Sequence, residues 1–134
     1  MREILFKAKS IETGEWVEGY LYIRKDGVAE INYYNKEWDC ERYTHEVDSD
    51  TICQYTGLTD KKGNKIWEND VISYWDTYST ENGYAEADCI GKVYWDEETL
   101  SFQVTERLSA ESYEVFEECS VIGNVFDNAD LVKE

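Results

Sequence analysis

Residues 54–72 make the backbone reverse twice in a short span, and any fold for this chain has to accommodate that. An apolar segment holding Tyr55 and Leu58 runs into the polar turn Asp60-Lys61-Lys62-Gly63-Asn64. Gly and Asn there tolerate positive φ at little cost. Ile66 and Trp67 follow, then a second turn at Glu68-Asn69-Asp70, then the strand-like run Val71-Ile72-Ser73-Tyr74-Trp75. Reversals this close together predict a compact β corner on which other strands can close.

The rest of the composition points the same way. Five Trp and eleven Tyr bring the aromatic share to 15%, within a hydrophobic share of 42%. That supplies enough apolar mass for a packed core and favours strands over helices. At 134 residues the chain is one domain, or a small domain with an elaborated arm.

Charge narrows the function classes. Thirty acidic residues against 13 basic ones give a formal −17. Nucleic acids and anionic membranes would be repelled, because both are bound through Lys and Arg. Solubility, a basic partner or imitation of a polyanion remain open, and a solvated acidic surface is the plainest of these. No apolar run approaches the roughly 20 residues of a spanning helix, and Met1–Lys7 lacks the apolar stretch of a signal peptide. An intracellular location is therefore expected. Cys40, Cys53, Cys89 and Cys119 have no close pair, so neither a zinc ribbon nor a redox dithiol is expected. They read as small, buried or half-buried hydrophobes.

Along the chain, Ile4, Phe6 and Ala8 alternate with Leu5, Lys7 and Lys9 as in a strand, and Ile11–Gly14 reads as a turn. Trp16–Ile23 and Val28–Tyr34 flank Arg24-Lys25-Asp26-Gly27, the pattern of a β-hairpin. That ribbon is apolar on both faces, so either the remaining chain or another copy of the protein has to cover it. Residues 35–51 are polar, anchored by Trp38, Tyr43 and Val47, and read as a connection. Within it, Asp48–Thr51 is an acidic loop or a capping segment. Asp76–Ala87, with Asn82-Gly83, reads as a loop. Cys89–Trp95 and Leu100–Val104 make a second hairpin around Asp96–Thr99. Thr105–Ser112 is a loop or a short helical turn. Tyr113–Phe116 and Ser120–Phe126 read as strand material, with Gly123 as a bend or bulge. Asp127-Asn128 offers a cap for a final turn over Ala129–Val132. About five short strands follow Ile52.

Three blocks together resemble the YopX family of phage and prophage proteins. They are Met1–Ala8; Gln54–Leu58 with Asp60, Lys61, Gly63, Ile66, Glu68, Asp70, Val71 and Ile72; and Val121–Phe126 with Asn128 and Leu131. The middle block is the specific one. Asn69 stands where the family usually has Gly between the acidic pair, and Ala129 where it tends to have Pro. Asn is the next-best residue for a left-handed turn, so the reversal is expected to survive. The resemblance implies an SH3-like small barrel in the C-terminal part and an N-terminal β region that mediates self-association. It also implies phage or prophage origin, hence the cytoplasm of a bacterial host, and it implies no catalytic residue.

The candidate chemistry is thin. His45, in Tyr43-Thr44-His45-Glu46, has no recognisable partner for general-base or metal work. Carboxylate pairs such as Asp48/Asp50, Asp96/Glu97/Glu98 and Glu117/Glu118 are expected by chance at this acid content. Phosphate-loop, calcium-loop and nucleophile-elbow spacings do not occur. Trp16, Tyr20, Tyr22, Tyr33, Tyr34, Trp38, Trp67, Tyr74, Trp75, Tyr94 and Trp95 could stack bases, but basic neighbours are few, so core packing and subunit contact explain them better.

The resulting expectation is a mainly β protein with little helix. An N-terminal β-hairpin region over 1–50 acts as a self-association arm, and an SH3-like barrel spans 51–134. The protein is expected to be a non-enzymatic homo-oligomeric binding or assembly module with no catalytic, cofactor or metal site. Its partners are copies of itself, with a basic host or phage protein next, and neither nucleic acid nor membrane. Two alternatives stand beside this: an acidic nucleic-acid mimic that antagonises a host protein, and an oligomeric binder of a small nucleotide using Lys61, Lys62 or Arg24.

Overall fold

A computed structural model describes residues 3–34 and 41–131; Met1, Arg2, Trp38, Cys40 and Val132 of the sequence reading lie outside the described residues. The chain divides into two compact units, residues 1–55 and 56–134. The sequence reading put the division at 50/51. The units part inside a strand because Cys53 and Gln54 pair with Lys7 and Phe6 of the first unit.

In the first unit β1 (Phe6–Lys9), β2 (Trp16–Ile23), β3 (Ala29–Tyr34), β4 (Arg42–Glu46) and the start of β5 (Cys53–Thr59) lie in the order β4-β3-β2-β1-β5. β1–β2, β1–β5, β2–β3 and β3–β4 all pair antiparallel. The β2–β3 hairpin forms where expected. Its loop closes through Arg24 N–H to the Val28 carbonyl at 2.8 Å, and Gly27 takes φ +90°, a conformation costly for residues with a Cβ. Ala8, Ala29, Ile31 and Val47 form the core on one face, with Phe6, Val17, Leu21 and Ile52 against it.

The polar segment before Ile52 is more than a connection. Arg42–Glu46 is a strand, β4, with Ile31 opposite His45 and Tyr33 opposite Tyr43. Its alternation of Tyr43 and His45 with Arg42, Thr44 and Glu46 was too polar to stand out as a strand. Asp48 then caps a single helical turn, Ser49–Thr51, accepting from the Asp50 N–H at 3.0 Å.

In the second unit the end of β5 pairs with β6 (Lys65–Trp67), and Thr56 Oγ1 donates to the Ile66 carbonyl at 2.7 Å. β7 (Asp70–Thr80), β8 (Gly83–Asp96), β9 (Ser101–Val104) and β10 (Ser120–Asn124) form an antiparallel sheet in the order β10-β7-β8-β9. Among the described residues this sheet is open, with β10 and β9 at its edges. The expected mainly β class therefore stands, and the described strands do not close a barrel. The core gathers Ile66, Ile72, Tyr74, Val93, Val104, Val115, Phe116 and Cys119.

Both reversals of the central stretch are present. Asp60 and Asn64 close the first, with the Asp60 N–H donating to the Asn64 carbonyl at 2.8 Å. Asn69 takes φ +71° in the second, where the Trp67 N–H donates to Asp70 Oδ2 at 2.8 Å. The expected bulge in β10 appears as a register shift between Val121 and Gly123.

Asp76–Ala87 is not a loop: β7 and β8 continue through it as a ribbon whose turn holds only Glu81 and Asn82. Cross-strand pairs such as Tyr78 opposite Ala85 hold residues that looked loop-like one at a time. Tyr113–Phe116 is not a strand but part of the helix α1 (Ser112–Glu118). Glu114 accepts from the Glu111 N–H at 3.0 Å, and this reciprocal end-capping offsets the β propensity of Tyr113 and Val115. The final turn covers Ala129–Leu131 and closes through the Leu131 N–H to the Asn128 carbonyl at 3.0 Å, while Asn128 Oδ1 accepts from the Asn124 N–H at 3.2 Å.

Candidate functional site

The buried polar groups are the first place to look for chemistry, and here they are occupied with structure. Asp60 and Asp76 are 5% and 4% exposed. Asp60 accepts from the backbone N–H groups of Lys62, Asn64 and Val121 at 2.9, 2.9 and 3.0 Å. It thus ties the first reversal to β10 and satisfies an edge N–H that would otherwise be open. Asp76 accepts from Thr77, Leu108, Ser109 and Ala110 at 2.7, 2.6, 3.2 and 2.9 Å, pinning the segment before α1 to β7. Burial pushes both carboxyls up, but the backbone donors outweigh it and hold each below the ordinary aspartate value. Acids kept ionised in this way are poor proton donors and acceptors at neutral pH. Sequence reasoning missed both, because nothing local separates them from the exposed acids.

Cys89 and Cys119 are not activated. Burial, followed by the charge of Asp60, raises the Cys119 thiol to about 11, and burial with Asp76, Asp88 and Glu106 raises Cys89. Native protein at pH 8 is accordingly expected to alkylate at Cys119 roughly a hundredfold more slowly than a free thiol, since only the thiolate reacts. Peptide mapping by mass spectrometry checks this; labelling at the free-thiol rate would overturn the assignment of Cys119 as an inert core residue.

His45 packs in a ladder with the β3 and β4 aromatics. Its ring stacks on Tyr33 at 5.7 Å between centroids, Tyr33 stacks on Tyr43 at 5.5 Å, and Nε2 lies 3.4 Å from the Tyr33 hydroxyl. Among the described residues no group of three or more His, Cys, Asp and Glu could hold a metal ion. Of the cations considered for a nucleotide, Arg24 is engaged by Asp26, Glu46 and Glu30 at 2.7, 3.4 and 3.9 Å. Lys61 and Lys62 lie in the Asp60 turn of the other unit.

The aromatics separate into interior and surface sets. Trp67 and Tyr74 are buried, and Trp95 meets Phe102 edge-on at 5.0 Å. Trp16 lies beneath the Lys7 and Lys9 ammonium groups, at 4.6 and 5.4 Å from its centroid. Tyr20, Tyr22 and Tyr34 are 59%, 54% and 55% exposed. Register puts all three on one face of the β2–β3 hairpin, because Tyr20 opposes Asn32, Tyr22 opposes Glu30, and Tyr34 is two residues from Asn32. The opposite face carries the Ile31 core. The three tyrosines share their face with Thr44, Glu46 and Arg24, a polar rim in which Thr44 Oγ1 donates to Asn32 Oδ1 at 2.6 Å.

In the second unit a cleft of about 400 Å³ lies between β7 and α1. Glu86, Glu114, Glu117 and Glu118 line it beside Trp75, and no Lys or Arg does. No helix in the described residues is long and apolar enough to cross a membrane.

Residues 5–133 match the family model described as YopX protein. Among solved structures, the chain is similar to the crystal structure of protein EF1440 from Enterococcus faecalis. The two are 19% identical with a TM-score of 0.52, over 99% of this chain and 100% of that one. No curated protein matches.

Proposed function

The chain belongs to the YopX family, and on that premise we propose that it is a non-enzymatic binding or assembly module of phage or prophage origin whose first unit makes the contact between copies of itself. The observation that carries this is the tyrosine face of β2 and β3. Tyr20, Tyr22 and Tyr34 stand more than half exposed on the sheet face away from the core. Tyrosine offers large contact area with little rotamer entropy to lose, and a polar rim around it is the usual anatomy of a protein contact. Charge favours the first unit for this role. Residues 56–134 hold 18 of the 30 acids and 6 of the 13 bases, a formal −12 against −5 for residues 1–55. Like charge penalises bringing two acidic second units together more than two first units.

Light scattering coupled to size exclusion tests the proposal. The protein is expected to associate at tens of micromolar, and the double variant Tyr20→Ser, Tyr22→Ser to associate at least roughly tenfold more weakly with its fold unchanged. A strict monomer across that range, or a variant that associates as well as the parent, would sink it.

A further inference from the structure

The ribbon that sequence reasoning took for a loop leaves an open strand edge. β7 pairs β8 without interruption from Gly83 to Lys92. On its other side β8 pairs with β9 only from Val93 to Asp96. Thr105 extends that pairing by one residue: its N–H donates to the Lys92 carbonyl at 3.0 Å, and its Oγ1 accepts from the Lys92 N–H at 2.8 Å. Both backbone groups of Lys92 therefore point away from β7. In an antiparallel ladder that orientation repeats every second residue, so Ile90, Asp88, Glu86 and Tyr84 also turn their N–H and C=O groups outward. No described residue hydrogen-bonds to them there.

The side chains along this edge specify what can dock. Tyr84 and Ile90 are 79% and 46% exposed, and Glu86 and Asp88 between them are exposed carboxylates. Registers that bring the acids of two copies of this edge together are disfavoured. Antiparallel pairing centred on Ala87 opposes Glu86 with Asp88 of the second copy, twice. Centres at Glu86 or Asp88 oppose each acid with itself, and like charges directly opposite are destabilising. Opposite charges at the same positions are favourable. We propose that the outer edge of β8 from Tyr84 to Ile90 takes an extended segment of a basic partner protein, added to the sheet as a further antiparallel strand. Two Lys or Arg, one residue apart, face Glu86 and Asp88, and apolar residues at the flanks face Tyr84 and Ile90. Main-chain hydrogen bonds supply the binding and the two carboxylates the selection. The surface is in the second unit and does not depend on the tyrosine face of the first.

The test uses the full chain and the peptide Val-Thr-Lys-Thr-Lys-Thr-Val, with amide hydrogen exchange read by NMR. Saturating peptide is expected to slow exchange several-fold at the outward amides of Tyr84, Glu86, Asp88 and Ile90. Ala85, Ala87 and Cys89, whose amides face β7, are expected to stay unchanged. The double variant Glu86→Lys, Asp88→Lys is expected to lose at least roughly tenfold in affinity and to prefer the matching peptide with Glu in place of Lys. A backbone N-methylated peptide of identical charge is expected to give no slowing. Unchanged exchange at the four outward amides, equal binding by the charge-reversed variant, or an N-methylated peptide as effective as the parent would each overturn the proposal.

Discussion

Replacing Asp76 by alanine is expected to lower the unfolding free energy by about 3 kcal/mol. The substitution strands four backbone N–H donors, of Thr77, Leu108, Ser109 and Ala110, at a site 4% exposed. Hydrogen bonds to a charged acceptor are worth about 1.5–3 kcal/mol each, and a donor left unpaired adds its desolvation cost, although water entering the site would recover part. Acid should reproduce the loss gradually. The folded carboxyls of Asp76 and Asp60 lie below their ordinary value of 3.8. A depressed folded value means the stabilisation is fully present above the unfolded value. It disappears as pH falls from about 4 toward and through the folded value. Urea denaturation between about pH 2.5 and pH 6, the window over which these carboxyls take up protons, checks both points. The parent should lose stability steeply below about pH 4, and Asp76→Asn should show a shallower slope there. Parallel pH profiles for the two proteins would remove Asp76 from this role.

Substituting Gly91 by alanine is expected to cost about 2–3 kcal/mol by a different route. A Cβ at Gly91 would overlap the Thr105 carbonyl oxygen and stand 2.8 Å from Val104 Cγ1. The first obstacle is main chain and cannot rotate aside, so the end of β9 has to move away from β8. The readout is specific. The Thr105 N–H, bonded to the Lys92 carbonyl at 3.0 Å, should lose exchange protection along with the global loss in stability. Gly63 is the contrast: it has nothing within 4 Å of an added Cβ, so substitution there should act only through its positive φ of +87°. A Gly91→Ala protein as stable as the parent, with Thr105 still protected, would show that this strand pair is looser than its geometry.

What could be read ahead of the coordinates was local. The β2–β3 hairpin, both central reversals, the left-handed Asn69 and the bulge near Gly123 each follow from residues within a few positions of one another. A turn residue acts on its own backbone, so its effect is visible in sequence. The resemblance carried by Gln54–Ile72 likewise matched the family shown by residues 5–133. The errors fall where a partner far along the chain decides. Tyr113–Phe116 has strand-forming residues, yet the core that Val115 and Phe116 make with Val104 and Val93 holds it as helix. Arg42–Glu46 and Thr77–Glu86 are polar, yet each finds a strand to lie against.

The surfaces divide in the same way. That tyrosines are plentiful in the first fifty residues is plain from the sequence, but only register puts Tyr20, Tyr22 and Tyr34 on the face away from Ile31. The sequence by itself determined where the backbone turns, that the protein is mainly β and which family it resembles. Tertiary structure alone decided that Asp60 and Asp76 are interior ties rather than surface charge, and that β8 outruns β9 and keeps an open edge. Turning is governed by a residue's own dihedral preferences, whereas burial and pairing depend on which distant segments compete for the same donors and the same apolar surface.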